Sequence, residues 1–402
     1  MKLLCVSATV PPDNSATADI LGKVLPLVQK AGWQVDCVSV KSRLKAPERT
    51  VYQGMNIFHA NYLLYLPKDN VTIAERVLDV WKRVREKNDS GSLPFYKEQL
   101  VQAFLKEMER CGAESYDAIM AVCAYYSAAE AVRRFAERHQ YKGKLVLYQV
   151  DPLTDNKIYS AESFRAREEY EKNIQDTWDA VLTTPLIERF WRERRELHNV
   201  HAVEFPVIRK PEKCQGIKKE EGEIRCVFAG FLYPELRNPQ YTLELFSHMR
   251  DPNIRLYILG NGMESMLEEY KAGKLAGRLY TLGSVSSDVC NAWLESADVL
   301  VNIGNSVSNQ VPSKLFQYLN YGKPILNLCK VAECPTLPYL ERYPLALNLT
   351  ERELFDPAEV KRAEDWIREK AGERIPFEWI SRQYFTCTPE YVSEVLLQSL
   401  QK

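Results

Sequence analysis

The chain has 402 residues, with 53 Lys plus Arg against 54 Asp plus Glu and a formal net charge of −1. Its 46% hydrophobic and 27% charged residues exclude disordered and fibrous classes. A balanced charge gives no overall attraction to polyanions, so no nucleic-acid partner is expected, and no apolar stretch approaches the ~18 residues of a membrane span.

The first apolar run, Leu3-Leu4-Cys5-Val6, is short and meets Pro11-Pro12-Asp13, so it reads as a strand rather than a secretion signal. Further strands are expected at 34–40, 117–123, 144–150 and 180–184, with a strand or hairpin at 51–60. Helical spacing falls between them at 17–30, 71–87, 94–110 and 127–139. Apolar strands separated by helices imply a parallel sheet covered on both faces. The stretch 206–223 is polar, charged and without period, as linkers are. The alternation then restarts, with strands at 224–229, 254–259, 279–282, 299–303 and 324–328 and helices at 241–249, 287–296 and 313–321. The segment 376–402 has helical spacing and two aromatic anchors, Trp379 and Tyr384. The organisation read from this pattern is α/β. A first Rossmann-like domain covers 1–205, a linker 206–223 and a second Rossmann-like domain 224–375. A C-terminal helix, 376–402, packs back toward the first domain.

The ten cysteines are scattered without a C-x-x-C pair, as expected of reduced, mostly buried thiols in a cytoplasmic protein. His198 and His201 are read as surface or strand histidines, and no metal site is expected there.

In open parallel sheets ligands bind beyond the carboxyl ends of the strands. The second domain's strands end in Gly230-Phe231-Leu232-Tyr233, Gly260-Asn261-Gly262, Gly283-Ser284-Val285 and Gly304-Asn305-Ser306. Glycine there admits a ligand to the backbone, and four consecutive cases weigh far more than one. Pro312-Ser313-Lys314 then opens a helix, whose free N–H groups, with a hydroxyl and an ammonium added, suit a phosphate. Taken alone, this step is also what a capped helix with a solvated lysine looks like, and Arg237 alone is a loop arginine. Together they place two cations beyond one sheet edge, which points to a diphosphate.

The run Val301-Asn302-Ile303-Gly304 followed by Pro312-Ser313-Lys314-Leu315-Phe316-Gln317-Tyr318-Leu319-Asn320-Tyr321-Gly322-Lys323-Pro324 resembles the donor-binding region of GT-B-fold, nucleotide-sugar-dependent glycosyltransferases. The likeness is greatest to the large retaining group that builds bacterial surface polysaccharides. It covers roughly 224–328, and over the first domain it is architectural. The resemblance implies two domains facing a cleft, and a donor held by Gly230, Gly260, Gly262, Val285, Asn305, Asn309, Ser313 and Gln317. It also implies Lys314 on the leaving phosphate, with Arg237 as the substitute for the family's basic residue, and Asn14 and Ser15 on the acceptor side. Asp151 follows the strand 144–150 and is expected to face the cleft as a catalytic residue, a cap for the following turn being the competing reading. No cofactor or metal is expected beyond the nucleoside-diphosphate sugar, since no Asp-x-Asp triplet of the metal-dependent GT-A kind occurs. The acceptor expected is a carbohydrate or a lipid-linked glycan. The patch Asn61-Tyr62-Leu63-Leu64-Tyr65-Leu66-Pro67 and the basic run Trp81-Lys82-Arg83-Val84-Arg85 suit peripheral contact with the cytoplasmic face of a membrane.

Three departures stand out. The family's two acidic residues eight positions apart are here Asn309 and Gln317, and the basic residue after the first glycine is Phe231. The glycine-rich loop after the first strand is replaced by small and polar residues at 11–17. A sugar-nucleotide epimerase of the same fold and a non-catalytic nucleotide-sugar binder are the competing readings.

Overall fold

A computed structural model describes the chain except residues 14, 64–70, 88–94, 124–125, 155–162, 213, 215, 353–355 and 402, and describes residues 82–87 by their backbone. The chain divides into two compact units, Met1–Pro206 with Thr386–Lys402, and Val207–Phe385.

The first unit is built on strands β1 (Lys2–Val6), β2 (Gln34–Lys41), β3 (Arg49–Tyr52), β4 (Met55–Leu63), β5 (Ala118–Cys123), β6 (Lys144–Gln149), β7 (Ala180–Thr183) and β8 (Val200–Ala202). They lie in the order β3-β4-β2-β1-β5-β6-β7-β8, parallel except for the β3–β4 hairpin. That hairpin resolves the ambiguity at 51–60: Gln53 and Gly54 both take positive φ, 47° and 81°, as a tight two-residue turn needs. The helices are α1 (Ala16–Lys30), α2 (Ile73–Lys87), α3 (Glu98–Arg110), α4 (Ser127–His139), α5 (Phe164–Thr177) and α6 (Pro185–Arg192). Leu3, Leu4, Cys5 and Val6 are all fully buried because both sheet faces are covered. Leu100, Phe104 and Met108 of α3 and Val132 and Phe135 of α4 pack on one face, and Leu21, Leu25 and Val28 of α1 on the other.

Over 73–81, helix α2 inverts the usual arrangement. Glu75 and Asp79 are buried, whereas Ile73, Val77, Val80 and Trp81 are exposed. Glu75 is held inward by the backbone N–H groups of Leu44 and Thr72, which donate to its carboxylate at 3.2 and 2.9 Å.

The second unit holds β9 (Ile224–Ala229), β10 (Ile254–Leu259), β11 (Leu279–Gly283), β12 (Val299–Ile303), β13 (Ile325–Cys329) and β14 (Ala346–Thr350), all parallel, in the order β11-β10-β9-β12-β13-β14. Its helices are α7 (Gln240–His248), α8 (Glu264–Ala272), α9 (Ser287–Ser296), α10 (Ser313–Leu319), α11 (Leu337–Leu340), α12 (Pro357–Lys370) and α13 (Phe377–Gln383). Chain order reverses between β9 and β12, so the crevice beside their carboxyl ends is the topological switch point of the sheet.

Among the described residues the stretch 206–223 has no helix or strand, yet its start is tied to the second unit. Val207 and Ile208 are buried, and Asn320 bonds both the Val207 carbonyl (2.8 Å) and the Arg209 N–H (3.0 Å). The segment 376–402 is two helices rather than one. α13 stays on the second unit, where Tyr384 is fully buried with its hydroxyl on the Tyr339 carbonyl at 2.8 Å. α14 (Pro389–Gln401) belongs to the first unit and packs Val392, Leu396 and Leu400 with α1. Pro389 at the head of α14 ends the earlier turn and starts a fresh helix.

Candidate active site

Seen from the second unit, four loops meet at the carboxyl edge of its sheet. The loop after β9 turns back on itself between Tyr233 and Arg237, whose backbones exchange bonds of 3.2 and 2.9 Å. This presents the Arg237 side chain across the switch point to Asn305, which follows β12. The Asn305 carboxamide oxygen accepts from both Nε (3.1 Å) and Nη2 (2.7 Å) of Arg237. The Asn305 amide nitrogen donates to the Gln310 carbonyl at 3.3 Å, which fixes its orientation, and Asn305 is 2% exposed. Among the described residues the other Arg237 acceptor is the Phe231 carbonyl at 3.3 Å. Both acceptors are neutral. Burial therefore pulls the Arg237 pKa down, because no carboxylate offsets the desolvation of the cation. A guanidinium nevertheless stays charged through the physiological range.

Lys314 stands in the first turn of α10. Pro312 takes the cap position, with Ser313 as the first helical residue, so the proline sits one place earlier than the sequence pattern implied. No side chain caps this helix start. The Lys314 ammonium donates to the Gln317 carboxamide oxygen at 2.8 Å, and the Gln317 amide donates to Asn291 of α9 at 3.0 Å. Tyr321 also donates to Asn291, at 3.1 Å. The Tyr318 hydroxyl of α10 accepts from the Ala229 N–H at 2.7 Å, pinning the helix to the end of β9. Among the described residues neither Arg237 nor Lys314 makes an ion pair. Asn309, Ser313 and Gln317 are half-buried along the segment from β12 into α10, and Val285 is half-buried after β11.

Two of the strand-end glycines, Gly260 and Gly262, also make room for a neighbouring loop. A Cβ at Gly260 would lie 1.9 Å from the Gly230 carbonyl oxygen, and one at Gly262 would lie 2.0 Å from that of Leu232. The loops after β9 and β10 pack backbone on backbone, with Gly230 and Leu232 N–H groups donating to Leu259 and Asn261 carbonyls at 2.8 and 2.9 Å. The Gly262 N–H is occupied by the Glu264 carboxylate at 2.7 Å, which holds that carboxyl below its usual range. These glycines shape the edge by close loop packing.

In the first unit, Ser15 is the N-cap of α1, its hydroxyl accepting from the Ala18 N–H at 3.1 Å and donating to Thr9 at 2.8 Å. A cap role accounts for this residue. Asn14 and the patch residues 64–67 lie outside the described residues. Asp151 follows β6, half-buried, in a segment anchored at Thr154. There the fully buried Glu171 carboxylate accepts from the Thr154 N–H at 2.7 Å, from the Thr154 hydroxyl, and from Gln149. Burial raises the Glu171 pKa, with these donors partly opposing it. His198 is 84% exposed, and no group of three or more metal-ligating side chains occurs among the described residues. Nor, among these residues, is any helix long and apolar enough to cross a membrane.

Asn291, Glu264 and Glu171 had no signal in the sequence. Asn291 reaches α10, and Glu171 the loop after β6, from elements remote in sequence or through a backbone N–H, and Glu264 takes the backbone N–H of Gly262.

No protein-family model matches this chain, and no curated protein matches it in sequence. Solved structures do match over the full length. Sucrose-phosphate synthase from Thermosynechococcus elongatus aligns with a TM-score of 0.69 at 13% identity, over 99% of this chain and 98% of its own. The lipopolysaccharide outer core galactosyltransferase WaaB, in its apo form, aligns at 0.61 and 11% identity, over 100% and 99%. TarM from S. aureus, solved with UDP and α-GlcNAc-glycerol, aligns at 0.62 and 10% identity, over 99% and 98%. Identities this low establish architecture, and the architecture is that of GT-B glycosyltransferases: the chain has the GT-B fold.

Proposed function

We propose that this protein is a glycosyltransferase that moves a sugar from a nucleoside-diphosphate sugar to an acceptor hydroxyl, with retention, in polysaccharide or glycoconjugate biosynthesis. The observation that carries the reading is Arg237, a largely desolvated cation with neutral partners, beside the switch point of a parallel sheet. Leaving a buried charge uncompensated is costly, and an incoming anion removes that cost. A diphosphate fits, with Arg237 and Lys314 donating to it. Structural neighbours support the choice of ligand, since TarM was solved with UDP and an E. coli trehalose-6-phosphate protein with UDP-2-fluoro glucose.

In this reading Arg237, Lys314, the Ser313 hydroxyl and the α10 backbone meet the charge that grows on the phosphate as the glycosidic bond breaks. Donors fixed in advance stabilise such a transition state by a few kcal/mol each. The amides of Asn309 and Gln317 hydrogen-bond donor hydroxyls. Asp151 orients the acceptor, and the departing phosphate takes the acceptor's proton on the same face of the sugar. No metal or further cofactor is required, because the chain supplies both cations. Peripheral contact with a membrane rests on α2, whose apolar face is the exposed one. A thermal-shift screen of UDP, GDP, ADP and dTDP with their sugars tests the donor reading. One base should raise the melting temperature, and transfer to a glycan panel with that donor should release the diphosphate.

A further inference from the structure

Phe231 and Tyr233 are 47% and 43% exposed, an unusual position for two aromatic rings in one loop. Their centroids are 4.6 Å apart with the planes tilted by 34°, and both residues keep nearly half of their surface in solvent. The loop is rigid where it presents them. Leu232 between them is 1% exposed and points into the core, with its N–H on the Asn261 carbonyl at 2.9 Å. The Tyr233–Arg237 bridge closes the turn on one side. Ser306 ties the other side, its N–H on the Leu236 carbonyl at 2.8 Å and its hydroxyl on the Glu235 carbonyl at 2.5 Å. Arg237 itself donates to the Phe231 carbonyl at 3.3 Å.

We infer that the Phe231–Tyr233 pair is a binding platform for a pyranose ring. The inference rests on the donor-site reading above and adds what recognises the sugar. A pyranose has an apolar C–H face rimmed by hydroxyls, and an aromatic face with a phenol at its edge matches both parts. The pair is built into the same turn as the cation assigned to the diphosphate. The sugar is bonded directly to that diphosphate, whereas the base is set apart from it by a ribose. Because the loop is already tied on both sides, little ordering entropy opposes stacking. The resemblance to known glycosyltransferases does not supply this feature, since Phe231 stands where they carry a basic residue.

The test compares wild type, Phe231→Leu/Tyr233→Leu and Phe231→Tyr by calorimetry. The probes are UDP, UDP-glucose, GDP, GDP-mannose and the methyl glycosides of glucose, galactose and mannose. Leucine keeps apolar volume and loses the aromatic face. The double variant should bind the sugar nucleotide roughly two- to tenfold more weakly, with the bare diphosphate unchanged and Phe231→Tyr like wild type. Loss confined to a methyl glycoside assigns the platform to the acceptor's pyranose instead. Unchanged affinity for every sugar-bearing probe overturns the inference, as does equal weakening of diphosphate and sugar nucleotide. If wild type binds no nucleotide at all, the donor-site reading falls, and the methyl glycoside arm alone decides for or against the platform.

Discussion

Arg237 and Asn305 leave neighbouring strands, β9 and β12, and a single carboxamide oxygen holds the guanidinium by bonds of 3.1 and 2.7 Å. The amide aims the cation without neutralising it. A carboxylate at the same place would hold it equally well and would compete with any anion.

That contrast gives the first prediction. Asn305→Asp should change the stability of the unliganded protein little, because desolvation of the carboxylate and loss of the bond to the Gln310 carbonyl offset the new ion pair. Nucleoside diphosphate affinity should fall by roughly ten- to a hundredfold. Denaturant midpoints and titration calorimetry read the two effects separately. A variant that binds the diphosphate as well as wild type would remove Arg237 from the site.

The close packing of the strand-end loops gives the second. Gly260 has φ +128° and its Cβ would meet the Gly230 carbonyl oxygen at 1.9 Å, whereas Gly277 has φ +73° and open space around its Cβ. Both alanine variants carry backbone strain, but only Gly260→Ala must also move a neighbouring loop. It should cost about 2 kcal/mol or more beyond Gly277→Ala, measured by urea unfolding. Equal losses would mean the loops after β9 and β10 part easily.

Glu171 supplies a pH dependence. Burial raises its folded pKa above the unfolded value. Both states hold the proton below the ordinary carboxylate range, so the contribution to stability is complete there. From about pH 4.5 upward the unfolded chain releases its proton first, and stability is lost as pH rises through the folded pKa. Glu171→Gln does not titrate, so the stability of wild type relative to this variant should decline with rising pH. A gap that widens with pH would show that the Thr154 and Gln149 donors outweigh desolvation.

Exposed Ile73, Val77, Val80 and Trp81 predict that the protein binds vesicles containing phosphatidylglycerol. Val77→Ser/Trp81→Ser should weaken vesicle binding by about tenfold or more and leave nucleotide binding alone. Equal flotation of variant and wild type would leave α2 without this role.

Much of the fold was legible because its strands are buried on both faces. Apolar runs with a single polar interruption, such as Ile224–Ala229 with Arg225 and Val299–Ile303 with Asn302, read as buried strands once helices flank them. β14 escaped because an edge strand alternates: Leu347 and Leu349 are buried while Ala346, Asn348 and Thr350 are not. α5 escaped for the opposite reason. It buries Arg167, Glu171 and Gln175, so no apolar stripe marks it. At the site, Lys314 and Arg237 were found from their position after strands, which topology converts into proximity to one sheet edge. Gly260 and Gly262 also make room for a neighbouring loop, and sequence cannot tell a ligand from a loop as the thing that needs the space. Asn305 could be named as a strand-end residue, but its grip on Arg237 depends on β9 and β12 being neighbours across 68 residues of chain.

The central claim is that the second unit binds the diphosphate of a sugar donor with its own cations. Calorimetry of wild type and Lys314→Ala with UDP, GDP, ADP, dTDP and the matching nucleosides, with and without EDTA, tests it most directly. One diphosphate should bind wild type regardless of EDTA, and Lys314→Ala should weaken it roughly ten- to a hundredfold while changing the nucleoside far less. Wild-type affinity in Lys314→Ala, or binding abolished by EDTA, would contradict the account.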